Sequence, residues 1–168
     1  MNILLFCIEI DNRVERRMSF YKVWPDNLAK AFEELGHTVH AVNFSRPDCI
    51  DKMNKALESK IDFAIGFNET YLRVVQFKDN NGANILNKLN IPFVSWLWDA
   101  LFYPQNPAVR IGGINHLLLA CISEDEIYEV KTLSPHIHQS FFCPLGGCFS
   151  TEFDNTGGGE NFATEGIA

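Results

Sequence analysis

From Asn2 to about residue 150, short apolar runs alternate with stretches patterned at helical spacing. Asn2 to Ile10 is apolar with little period-two alternation, as expected of a central parallel strand covered on both faces. Similar runs recur near 37–44, 61–67, 91–98, 117–122 and 137–143. Between the first two, the spacing of Leu28, Phe32 and Leu35 predicts one buried helix face, with Gly36 at the C-cap. Pro25 suits the first position of that helix, and an earlier start through Met18 and Phe20 also fits. Asp48 is placed to cap a second helix reaching Ser59, with Ile50, Met53 and Leu57 inward.

The middle of the chain is less regular. Asn68 to Asn81 reads either as a short helix or as an ordered loop, and Asn84 to Asn90 as a helical piece. Residues 101–113 hold two prolines and two glycines and read as a loop with at most one helical turn. Ser123-Glu124-Asp125-Glu126 is a capping box, in which Glu126 is expected to reach back to the Ser123 N–H. That helix should stop before Pro135.

Strands separated by helices imply parallel pairing through right-handed crossovers. The predicted fold is an α/β domain: an open, mostly parallel sheet with helices on both faces, Rossmann-like. Its core should contain Leu4, Phe6, Val39, Ala64, Ile65, Val94, Leu118 and Ala120. One domain is expected over 1–150. Residues 151–168 form a glycine-rich tail or linker, poorly ordered from Gly157 onward because three successive glycines lose much entropy on ordering.

Composition narrows the function. Fourteen Lys and Arg against 21 Asp and Glu give a net charge of −7, which argues against nucleic acid as the main partner. No apolar run approaches the ~20 residues of a membrane span, and the N-terminus enters its first strand without a basic leader. Of five cysteines, Cys7 and Cys121 sit inside apolar runs, while Cys143 and Cys148 fit neither a redox pair nor a zinc knuckle. Structural thiols in a reducing, cytoplasmic setting are the expectation. His136-x-His138 lacks a third ligand, so no metal centre is predicted. No Gly-x-Gly-x-x-Gly, Walker loop or Gly-x-Ser-x-Gly elbow occurs, which removes the main support for dinucleotide, nucleoside-triphosphatase and hydrolase readings.

Ligands of parallel sheets bind beyond the carboxyl ends of the strands. Polar residues there are Glu9 and Asp11, Asn43, Ser45 and Arg46, Asn68 and Glu69, Asp99, and Ser123 and Glu124, with Gly146 and Gly147 after the last strand. Asp99 is the strongest candidate because Trp96 and Trp98 precede it at one strand end. A carboxylate beside large rings is partly desolvated, which raises its pKa and suits a general base. Indole faces offer flat apolar area to the C–H face of a sugar. The alternative is that the tryptophans pack the core and Asp99 caps the next turn. Arg13, Arg16 and Arg17 stand in an unusually long connection and suit an anionic group, or else a salt-bridged surface loop. Glu69 could orient a polyol or cap the segment it opens.

A first strand opening on a long loop, Ala64-Ile65-Gly66-Phe67-Asn68, Ile91-Pro92-Phe93-Val94-Ser95-Trp96-Leu97-Trp98-Asp99, and Pro144-Leu145-Gly146-Gly147-Cys148-Phe149 together resemble GT-B glycosyltransferases. The nearest pattern is the N-terminal, acceptor-side domain of the CgeB-like, spore-maturation type, over about residues 1–150. The resemblance implies that this domain holds a carbohydrate or glycosylated acceptor. Asp99 is then the catalytic base or an acceptor contact, and Arg13, Arg16, Arg17, Glu69, Trp96 and Trp98 line the acceptor pocket. It also implies no resident cofactor or metal. The sugar nucleotide belongs to a C-terminal donor-binding domain or subunit that has no counterpart in these residues, so a fragment or split subunit, inactive alone, is expected. The competing reading is a non-catalytic, flavodoxin-like binding or regulatory domain. A third is a nucleotide-sugar or phosphosugar enzyme with an unusual phosphate loop.

Overall fold

The computed structural model describes residues 1–8, 20–97, 113–134, 137 and 139–143, with the backbone alone at 20–23, 68–69 and 133. The described strands are β1 (Asn2–Cys7), β2 (Thr38–Asn43), β3 (Phe63–Phe67), β4 (Phe93–Trp96), β5 (Leu117–Cys121) and β6 (Gln139–Phe142). The described helices are α1 (Phe20–Glu34), α2 (Cys49–Leu57), α3 (Asn68–Gln76), α4 (Ile85–Leu89) and α5 (Glu124–Leu133). Six strands make one open sheet in the order β2-β1-β3-β4-β5-β6, and every neighbouring pair is parallel. Each expected strand is present, trimmed by one to a few residues at its ends. Among the described residues no helix is long and apolar enough to cross a membrane.

Handedness explains the layering. From β1 the chain steps outward to β2, then crosses back to β3 and continues in that direction to β6. Right-handed crossovers therefore put α1 on one face and the later helices on the other. Packing agrees. Leu28, Ala29 and Phe32 of α1 lie against Ile3, Leu5 and Ile65. On the opposite face Met53 and Ala56 of α2, Tyr71 and Val74 of α3, Leu86 of α4 and Val130 of α5 pack with Leu4, Phe6, Ala64, Phe93 and Leu119.

The expected core residues Leu4, Phe6, Ala64, Ile65 and Ala120 are buried. Val39, Val94 and Leu118 are only partly buried, all on the α1 side, where the described helical cover is α1 alone. Leu35 and Ile50, expected inward, are 72% and 50% exposed. Leu35 follows the last helical residue, where the chain is already turning away. In α2 the inner face is set by Met53 and Ala56 instead.

Helix ends follow local chemistry. Gly36 has φ +80°, and the Gly36 and His37 N–H groups bond the Glu33 and Phe32 carbonyls at 2.9 and 3.0 Å. This is a Schellman ending, with the His37 ring 6.1 Å from that of Phe32. Pro25 is not at the first position, since α1 begins at Phe20 and contains it. The earlier start is the one observed, and the Tyr21 carbonyl loses the N–H that would have answered it. Asp48 precedes α2 but its side chain makes no capping bond; it pairs with Lys52 at 3.1 Å. The segment at 68–81, ambiguous in sequence, is helical over Asn68–Gln76 as α3 and then turns, with Lys78 bridging back to Asn84.

Asn84 joins α3 to α4. Its Oδ1 accepts from the Leu86 and Asn87 N–H groups at 3.0 and 3.3 Å, and its Nδ2 donates to the Val74 carbonyl at 2.7 Å. Just before it, Asp79 Oδ1 accepts from the N–H groups of Asn81 (2.9 Å) and Ala83 (3.0 Å), and Oδ2 pairs with Lys88 at 2.7 Å. The Lys88 ammonium first, then the Ala83 and Asn81 N–H groups, hold the Asp79 carboxyl below the usual carboxylate range. A lowered folded-state pKa stabilises the fold above the unfolded value, about 3.9, and that help is lost as pH falls through the lowered one. Asp79→Asn should therefore flatten the acid slope of stability below about pH 4. Urea midpoints across that range check this; identical slopes in wild type and mutant would count against it.

Candidate functional site

All six strands run the same way, so their carboxyl ends form one edge carrying Cys7, Asn43, Phe67, Trp96, Cys121 and Phe142. The strand order reverses between β1 and β3, which makes the gap above them the switch point where open α/β sheets bind ligands. Helix α3 begins directly after Phe67, so Asn68 and Glu69 stand in its first turn at this gap.

A close approach of backbone builds the floor beneath. Gly66 lies against the first turn of α3: a Cβ there would collide with Thr70 Oγ1 and sit 3.3 Å from both Phe6 Cβ and Phe93 Cζ. Thr70 is buried, and its hydroxyl donates to the Phe67 carbonyl at 2.7 Å.

The α1 side of the edge is walled by aromatic rings. Trp96 stacks on Phe67 with centroids 6.1 Å apart and planes 20° apart. Trp24 of α1 meets Trp96 edge-on at 5.9 Å and 75°. The Trp96 indole N–H donates to the Cys143 carbonyl at 3.3 Å, linking the end of β4 to the residue that follows β6. Trp96 therefore stands where the sequence placed it, joined by two rings the sequence reading did not select. The available signal was partial: in a βα unit the start of the helix lies beside the carboxyl edge, which puts Trp24 near it without fixing the face it takes.

Several other polar candidates are occupied by local structure. Asn43 Oδ1 accepts from the Ser45 N–H at 2.9 Å in an Asx turn. Ser123 caps α5 by accepting from the Glu126 N–H at 3.2 Å. Glu126 does not return to the Ser123 N–H as the capping box predicted; it accepts from the Ile122 N–H at 2.9 Å, one residue earlier. Arg13, Arg16, Arg17, Trp98 and Asp99 lie outside the described residues, as do Glu9, Asp11, Gly146, Gly147, His136, His138 and the 151–168 tail. For Glu69 the structure gives the backbone position alone.

Burial shifts the thiols of Cys121, at the end of β5, and Cys143, just past β6, away from the reactive thiolate form. Burial, with Glu126 adding to it, pushes the Cys121 thiol up to about 12. Burial also raises Cys143. A thiol so far above neutral pH carries almost no thiolate. Cys7, Cys49, Cys121 and Cys143 are all unbridged. Among the described residues no group of three or more His, Cys, Asp or Glu is placed to hold a metal ion.

What this edge offers chemically is an aromatic wall beside a helix start, at the sheet's switch point. Compared with models of protein families and with curated proteins, the chain matches none.

Proposed function

We propose that this chain is the acceptor-binding half of a GT-B-type glycosyltransferase, acting with a donor-binding domain or subunit that holds the sugar nucleotide. The observation that carries the reading is the position of Trp96: it ends β4 on the carboxyl edge, within an aromatic wall, and leads directly to Trp98 and Asp99. A sugar acceptor needs flat apolar area for its C–H face and a carboxylate for the attacking hydroxyl. In this reading Asp99 is the base and Trp98 offers the stacking area. Arg13, Arg16, Arg17 and Glu69 orient acceptor hydroxyls or an anionic substituent. The unbridged thiols fit a reducing, cytoplasmic setting.

The test is an immobilised saccharide array probed with the 168-residue chain, alongside titration with UDP-sugars and other nucleotide sugars. Binding should be confined to a subset of saccharides, with weak or no binding of nucleotide sugars and no sugar transfer. Tight nucleotide-sugar binding, or an array without a single hit, overturns the reading.

A second reading has the strand order in its favour. β2-β1-β3-β4-β5 is the order of flavodoxin-like domains, here extended by β6. On that reading the domain is a non-catalytic binding or regulatory module whose small ligand sits between β1 and β3. A blank saccharide array together with saturable binding of a non-saccharide ligand would favour it.

A further inference from the structure

Trp96 has more bonds to its surroundings than a sugar platform needs. Its ring stacks on Phe67 and meets Trp24 edge-on, and its N–H is bonded to the Cys143 carbonyl. In register Trp96 lies opposite Ala120 of β5, a buried methyl. To reach the chain beyond β6 the indole must span two strand spacings, roughly 9–10 Å, and the small Ala120 leaves the lane open. One side chain thus ties β3, β4, α1 and the end of β6 together at the edge where a ligand would bind.

We propose that Trp96 is a positioning residue: it does not touch ligand, but holds the outgoing ends of β4 and β6 and the start of α1 in fixed relation around the site. This rests on reading the carboxyl edge as the ligand site, and within that reading it gives Trp96 a supporting role in place of a stacking one. The physical reason is geometric. The chain leaving β4 carries Trp98 and Asp99 two and three residues beyond Trp96. A ring held by Phe67, Trp24 and the Cys143 carbonyl fixes the end of β4 from which that segment departs. A reacting hydroxyl and its base must be held within a fraction of an ångström, so such a support has kinetic consequences.

The experiment needs no ligand. Cys143 is half-buried and follows β6, while Cys121 is fully buried and reports only global opening. Alkylation by iodoacetamide is followed by mass spectrometry at each cysteine in wild type, Trp96→Phe and Trp24→Phe. Trp96→Phe removes the N–H but keeps a ring on Phe67. It should speed alkylation of Cys143 about fivefold, the equilibrium worth of one typical hydrogen bond, with Cys121 still protected. Trp24→Phe, which keeps the indole–carbonyl bond, should have a smaller effect. Unchanged labelling of Cys143 in Trp96→Phe overturns the proposal, as does a parallel rise at Cys121 and Cys143, which would mean general loosening.

If Trp96→Phe does not fold, Ala120→Leu tests the same bond with the indole present, because a larger side chain closes the lane. It should produce the same selective rise, and unchanged Cys143 labelling there overturns the proposal. A saccharide found on the array should then bind Trp96→Phe more weakly than wild type; equal affinity removes the positioning role even where the labelling changes. An array without hits sinks the glycosyltransferase reading, and the Cys143 result still decides whether Trp96 braces the edge.

Discussion

Gly66→Ala should lower the stability of the domain by ~1–3 kcal/mol, the usual cost of forcing a methyl into filled space, out of a total near 5–15 kcal/mol. Its added Cβ would collide with Thr70 Oγ1 and crowd Phe6 and Phe93. Thr70 cannot simply swing aside, because it is buried and its hydroxyl donates to the Phe67 carbonyl. Thr70→Ala alone loses that hydrogen bond, worth about 1 kcal/mol. The double mutant removes the colliding oxygen and should recover much of the loss, leaving the two changes non-additive by more than ~0.5 kcal/mol. Urea midpoints of the four proteins give the cycle. Strict additivity would mean that the strand and helix spread apart at no coupled cost, and the close approach at Gly66 would not be the constraint described. Gly66 does not have a positive φ in this fold. Its role is space, so a larger residue such as valine should be worse than alanine.

On the proposed reading, Asp99→Asn in a two-domain transferase containing this chain should lower kcat by ~10²–10⁴, the typical loss for a general base. Acceptor affinity should change far less. Asparagine keeps the shape of the side chain and most of its hydrogen bonding, so the fold is not at stake. The informative measurement is the split between kcat and acceptor KM in steady-state kinetics. An unaltered kcat would remove Asp99 from the chemistry and leave it as a cap of the turn after β4. A rise confined to KM would make it a binding contact whose proton-accepting role belongs elsewhere.

The inner strands β1, β3, β4 and β5 were legible as apolar runs, the edge strands β2 and β6 as more mixed, more exposed ones, and the topology follows once helical stretches separate them. What the pattern could not supply was the direction of each side chain near an element's end. Leu35 has the helical spacing of Leu28 and Phe32 but falls beyond Glu34, where the chain has left the helix. Ile50 stands in the first turn of α2, where a residue can face water at little cost. Pro25 was read as a start signal because a missing N–H is harmless there; α1 instead carries it inside, with Trp24 held on the edge. For the site, Trp96 was legible as an aromatic at a strand end, whereas its partners were not. Phe67 belongs to another strand, Trp24 to a helix, and the Cys143 carbonyl is a backbone group with no signature in side-chain pattern. Glu126 shows the same limit at smaller scale: its capping motif is visible in the sequence, but the backbone turns its carboxylate to the Ile122 N–H.

The parallel register of the sheet has a kinetic consequence. β1, which precedes both its partners in the chain, pairs with Thr38–Asn43 on one side and with Phe63–Ile65 on the other. No described strand meets its neighbour through a hairpin, so each pairing must close a long connection before it gains any ladder bonds. Loop-closure entropy opposes every such step, and topologies of this kind fold more slowly than local ones. During translation β1 is an unpaired apolar strand until its partners emerge, and exposed strands of that type are prone to associate between chains. The Trp96–Cys143 bond spans the longest stretch of sequence at the edge's β4–β6 end and can close only after β6 has docked. The carboxyl edge is thereby closed only when the sheet is complete, so a nascent chain lacks this brace until β6 has joined.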